Sequence, residues 1–241
     1  MPQTAREKII VALDVPSAEA ARGAMQELAG QAVWCKIGME LFTSEGPDIV
    51  RFAVQHGFSV FLDLKFHDIP NTVAAGVRSA VSLGVKMLTI HASGGPEMMH
   101  VAAAAAAESE TQVLAVTVLT SSDRATLAAI GLDVEPKDQV LRLAKEAHRA
   151  GVTGLVCSPL EITAIRSALG DSIALVTPGV RPTGSAMGDQ KRVMTPADAV
   201  RAGANWLVIG RPIMAAPSRA DAFQAIESEI AQVLSEISPT N

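Results

Sequence analysis

The stretch SVFLDLKFHDIPNTV, residues 59–73, starts as an apolar run, gathers charge, and then turns at a proline. Its first part has the β-branched and aromatic composition of a strand. Asp63, Lys65, His67 and Asp68 follow, and from Pro70 onward the spacing is helical. Side chains on a strand alternate, so Asp63 and Lys65 are expected on one face and Leu62, Leu64 and Phe66 on the other. Buried charges are costly unless paired, so this junction requires counter-charges close by.

The same order recurs along the chain. Candidate strands are KIIVALDV (8–15), VWCKIGM (33–39), SVFLDLKF (59–66), MLTIHA (87–92), VLAVTVLT (113–120), GLVCSP (154–159), IALVTPGV (173–180) and WLVIGRP (206–212). Each is almost continuously apolar up to its C-terminal end, as expected of parallel strands covered by helices. Asp14, Lys36, Asp63, Lys65, His91, Thr120, Ser158, Arg181 and Arg211 collect at those ends. Helix punctuation separates the runs. Ser158-Pro159-x-Glu161 reads as a capping box closed by Gly170, Thr195-Pro196-x-Asp198 repeats it before Gly203, and Gly84 ends the segment from Pro70.

Eight such units in 241 residues predict an α/β fold, a (β/α)8 TIM barrel forming one domain over residues 1–241. An open doubly wound sheet would call for a glycine-rich turn after its first strand. The corresponding ALDVPSAEAA (12–21) contains no glycine. No linker or composition break divides the chain.

Aromatics make up only 3% of the chain, too few for stacking platforms, and the net charge of −5 disfavours a nucleic-acid backbone as partner. Cys35 and Cys157 lie in apolar runs without metal-ligand spacing and read as buried thiols in a reducing compartment. The N-terminal segment lacks the core of a signal peptide, and no apolar run is long enough for a membrane span. A cytoplasmic protein without nucleic-acid or membrane partners is expected.

In a barrel, Asp63 and Lys65 would project inward at the C-terminal rim, where barrel active sites lie. Lys36, expected at similar height on the preceding strand, would flank Asp63. Asp68 lies beyond the strand, placed to reach a neighbouring subunit. The expected array is Lys36, Asp63, Lys65 and then an aspartate, with neighbouring opposite charges favouring the ionised forms. His67 and His91 are expected to hydrogen-bond within the rim. Gly210 permits close backbone approach, and Arg211 offers a fork for phosphate after the last strand. RPTGSAMGDQKRV (181–193) reads as a polar, hinge-rich lid.

DLKFHDIPNTV (63–73) closely resembles the signature of the orotidine 5'-phosphate decarboxylase family, with its Asp-x-Lys-x-x-Asp core. ALDV (12–15), KIG (36–38), TIHASGG (89–95), VTVLTS (116–121), TPGVRP (177–182), DQKRV (189–193) and VIGRPI (208–213) fit the same pattern in order. The resemblance implies a homodimer of barrels that uses no metal and no organic cofactor. It implies Lys36, Asp63 and Lys65 as catalytic residues, completed by the partner's Asp68. Asp14 and Lys36 would bind ribose hydroxyls, and Ile69 and Thr72 of the partner would line the pocket. Thr120 and Pro178 would meet the pyrimidine ring, while Arg181, Gln190, Gly210 and Arg211 would hold the phosphate. Two other readings stay open: a metal-dependent phosphosugar enzyme of related barrel type, and a non-catalytic nucleotide-binding barrel.

Overall fold

The computed structural model describes residues 1–182 and 194–237. Eight strands form a closed barrel in chain order: β1 (Ile9–Ala12), β2 (Trp34–Gly38), β3 (Ser59–Phe66), β4 (Met87–His91), β5 (Gln112–Val116), β6 (Gly154–Val156), β7 (Ala174–Thr177) and β8 (Trp206–Ile209). Every neighbouring pair is parallel, and β8 closes onto β1 through Ile10 opposite Val208.

All eight apolar runs therefore become strands, but most end earlier than their composition suggests. The run 113–120 leaves the ladder after Val116, and 154–159 after Val156. Residues past the last ladder pair, among them Val118, Thr120 and Pro178, line the cavity at the rim, although their composition still reads as strand. β3 alone fills its expected span, Ser59–Phe66.

Strand alternation builds two apolar layers. Ile9, Val11, Leu62, Leu88 and Leu175 face outward, in one cluster with helix residues Ile49, Val77, Met98 and Ile226. Ile10, Phe61, Met87, Leu114, Val176 and Trp206 fill the barrel interior. Trp34 and Trp206 meet edge to face near the strand beginnings, with centroids 5.9 Å apart. The polar cavity therefore stands on a packed floor.

The helices follow their local signals. Pro70–Ser82 begins with proline in its first turn, where no amide donor is needed, and Gly84 follows its end at φ 80°. It buries Val73, Ala74, Val77 and Ala80 along one face. Ser158 and Glu161 form the expected capping box, opening a 3-10 turn that runs into helix Ile162–Leu169 before Gly170. Thr195 accepts from the Asp198 amide and donates to its carboxylate at the start of Pro196–Arg201.

Candidate active site

A cavity of about 500 Å³ opens at the C-terminal ends of the strands, a volume suited to a small-molecule ligand. Asp14, Lys36, Asp63, Lys65, Thr120, Pro178, Arg181, Gly210 and Arg211 all line it, on a wall shared with Val118, Val156 and Met214. Polar groups brought in from separate strand ends thus converge on one space.

Four of them form a chain of alternating charge. Lys36 Nζ donates to Asp14 Oδ1 at 2.8 Å and lies 3.6 Å from Asp63 Oδ2. Lys65 Nζ donates to Asp63 Oδ1 at 2.8 Å. The order in space is Asp14, Lys36, Asp63, Lys65, so the expected array gains a carboxylate at its Lys36 end. Lys36 is buried and Asp14 exposed, so the array runs from the protein interior to the cavity mouth. Burial acts to raise the Asp63 carboxyl, yet the Lys36 and Lys65 charges, with hydrogen bonds from Lys65 and Thr89, hold it below its ordinary value.

The geometry corrects one expectation about how these groups meet. Lys36 does not sit level with Asp63: its backbone pairs with Phe61, and Gly38 is the residue opposite Asp63. The long lysine stem climbs one pleat to reach the carboxylates. Gly38 keeps that route open, since a Cβ there would lie 3.0 Å from Lys36 Nζ and 3.3 Å from Asp14 Oδ1.

Alternation holds in outcome, with Asp63 and Lys65 facing the cavity and Leu62, Leu64 and Phe66 in the outer layer, but the backbone at Lys65 is irregular. The pairing of β3 with β4 slips between Leu62 and Phe66, and Lys65 has φ 54°, alone in positive φ among the described non-glycine residues. That conformation costs roughly 1–2 kcal/mol for a residue with a side chain. The Lys65 amide donates to Thr89 Oγ1 at 2.9 Å, and this hydroxyl donates to Asp63 Oδ1 at 3.0 Å. Thr89 and Gly38 were invisible as site residues in the sequence, because each acts across a strand pairing.

Asp68, Ile69 and Thr72 are exposed at the start of the helix after β3 and are not among the described residues lining this cavity. Asp68 Oδ1 accepts from the Ile69 amide, and Ile69 is 67% exposed, a large apolar side chain beside an acidic one. His67 and His91 stack obliquely with centroids 5.4 Å apart, again away from the described cavity lining. Burial, aided by the His67 and Lys65 charges, lowers His91 from its ordinary value. Gln190 and most of the expected lid lie outside the described residues. The base of that segment is pinned, as the Arg181 amide donates to Met194 O at 3.0 Å. Cys35 and Cys157 are both buried, and burial pushes the Cys35 thiol up to about 12.

Fold and cavity together define a (β/α)8-barrel enzyme with its site at the strand C-termini. Comparison with known proteins makes this specific. Residues 7–226 match the model of the orotidine 5'-phosphate decarboxylase / HUMPS family, and the chain belongs to that family. A relative from Moorella thermoacetica named orotidine 5'-phosphate decarboxylase is 52% identical, covering 95% of this chain and 94% of that protein. One of the same name from Nitrosococcus oceani is 51% identical over 95% of this chain and 99% of its own length. A crystal structure of orotidine 5'-phosphate decarboxylase from Lactobacillus acidophilus superposes with a TM-score of 0.82 at 38% identity, covering 92% and 98% of the two chains.

Proposed function

We propose that the protein decarboxylates orotidine 5'-phosphate to UMP and CO2 in pyrimidine biosynthesis, using the Asp14–Lys36–Asp63–Lys65 array and no cofactor. One observation carries the mechanism: Lys65 is tied to Asp63 at 2.8 Å inside the same cavity that Arg181 and Arg211 line. Departure of CO2 leaves the bonding electron pair on C6, in the plane of the pyrimidine ring. The π system offers that pair no direct sink, so stabilisation must come from fixed charge. The Lys65 ammonium lies against the developing negative charge and then gives its proton to C6, regaining one from solvent. Asp63 holds Lys65 in place and sits beside the departing carboxylate, raising the energy of the bound substrate by repulsion.

The other cavity residues divide the substrate between them. Asp14 and Lys36 take the ribose hydroxyls, Thr120 and Pro178 meet the ring, and Gly210, Arg181 and Arg211 take the phosphate with Gln190. Residues 181–193 act as a lid closed by that phosphate, so distant binding energy organises the array. Arg211→Ala is expected to lower kcat/KM by about a hundredfold, in line with loss of charge-assisted hydrogen bonds. Phosphite should accelerate wild-type turnover of a substrate lacking phosphate; indifference to it would separate the lid from catalysis.

Asp68, Ile69 and Thr72 serve the cavity of a second copy in a homodimer. Their exposure, their absence from the described lining of their own cavity, and the uncovered Ile69 support this. A mixed dimer of Lys65→Ala and Asp68→Ala subunits should regain one intact site when the two variants are combined, whereas each variant alone stays inactive. No helix among the described residues is long and apolar enough to cross a membrane.

The family name also covers HUMPS enzymes, so the substrate needs a direct test. Among the described residues, the two carboxylates lining the cavity, Asp14 and Asp63, already accept from lysine ammonium groups at 2.8 Å, a donor set poorly suited to a divalent cation. Loss of orotidine 5'-phosphate absorbance with EDTA-treated protein, and UMP as product, is the expected result. Turnover restored only by Mg2+ would favour the metal-dependent branch; UMP binding without turnover would favour a binding barrel.

A further inference from the structure

We propose that Thr89 is a positioning residue for decarboxylation, its hydroxyl locking the strained Lys65 backbone to the Asp63 carboxylate. This rests on the reading of Asp63 and Lys65 as the catalytic pair. Thr89 lies on β4 opposite the place where pairing with β3 slips. In a regular ladder, Lys65 would have backbone partners and Thr89 would have no special task. The slip takes Lys65 to φ 54° and directs its amide at the Thr89 hydroxyl, 2.9 Å away.

A hydroxyl has one proton to give and lone pairs to accept with. Thr89 uses both capacities, accepting from Lys65 and donating to Asp63 Oδ1 at 3.0 Å. The same Asp63 oxygen accepts from Lys65 Nζ at 2.8 Å. A small ring results: Lys65 backbone, Thr89 hydroxyl, Asp63 carboxylate, Lys65 ammonium. Both ends of Lys65 are thereby referred to one carboxylate oxygen, the amide through the hydroxyl of Thr89, which is only 1% exposed. Its restricted χ1 adds rigidity that a freely rotating side chain would lack. Positional errors of about 1 Å in such groups cost large factors in rate, so the ring has consequences for kcat rather than for substrate affinity.

The test uses Thr89→Val, which keeps the shape and removes the hydroxyl, and Thr89→Ser, which keeps the hydroxyl. Wild type is assayed first: failure to turn over orotidine 5'-phosphate would overturn the functional reading itself, whatever Thr89 does. With wild type active, Thr89→Val is expected to lose about 10- to 100-fold in kcat with KM changed less than threefold, while Thr89→Ser stays within about threefold of wild type. The acid limb of the kcat profile should also move to higher pH in Thr89→Val, because Asp63 loses a hydrogen bond to its charged form. Unchanged kcat in Thr89→Val would overturn the proposal. So would equal losses in Val and Ser variants that track their thermal stability. Should Thr89→Val fail to fold, Thr89→Ala is measured against Thr89→Ser by the same criteria.

Discussion

The two ends of the barrel interior are built by one rule and serve opposite purposes. Near the strand beginnings, inward positions carry Ile10, Phe61, Met87, Leu114 and Trp206, packed without charge. Toward the strand ends come Asp63, Lys65 and Asp14, and Lys36 reaches up to them from the level of Phe61. The lower layer is held by removal of apolar surface from water, which has no direction. The upper layer is held by ion pairs whose desolvation cost offsets much of their attraction. Stability therefore belongs mainly to the floor, and chemistry to the rim. A rigid apolar floor also fixes the strands from which the charged groups project.

Substitutions at the two ends should separate these contributions. Lys65→Ala is expected to reduce kcat by about a thousandfold or more, on the scale of losing a positioned charge. Its thermal midpoint should stay within a few degrees of wild type; near-normal turnover would remove Lys65 as proton donor. Leu114→Ala is the reverse experiment. It should destabilise the protein by about 2–5 kcal/mol through a cavity in the floor, measured by urea unfolding, while the folded fraction keeps its kcat. A large loss of kcat at full occupancy of the folded state would mean that the floor tunes the rim directly.

Smaller changes sharpen the boundary between the layers. Gly38→Ala places a methyl group against the Lys36 ammonium. Its target is the tip of a flexible side chain, so the fold should survive and activity should fall about tenfold, within the range for misplaced groups. Wild-type activity in this variant would show that the Lys36–Asp14 contact is dispensable. The subtlest test is pH. The Asp63 carboxyl is held below its ordinary value in the folded protein, so its ionisation favours folding above the unfolded-state value. That contribution is lost as pH falls through the lower folded-state value. The stability difference between wild type and Asp63→Asn should therefore shift against wild type on acidification, and a constant difference would contradict the assignment.

Most of this architecture was legible locally. Apolar runs marked all eight strands, and Ser158 with Glu161 marked a helix start, because strand and cap signals lie within a few residues. The charges at strand ends likewise pointed to the rim, and nine of the proposed site residues line the cavity. Boundaries were less legible: Val118 and Cys157 read as strand continuations but lie beyond the ladder. Composition does not register where a neighbouring strand stops pairing.

Sequence by itself determined the repeating strand–helix order and the identity of the rim charges, since periodicity and residue type are properties of a short segment. Tertiary structure alone decided that Lys36 climbs a pleat past Gly38, that Lys65 leaves the regular ladder, and that Thr89 bridges it to Asp63. Those facts depend on the register between strands that are separate in sequence. Register is set by packing the whole barrel closed, so no single stretch of residues contains it.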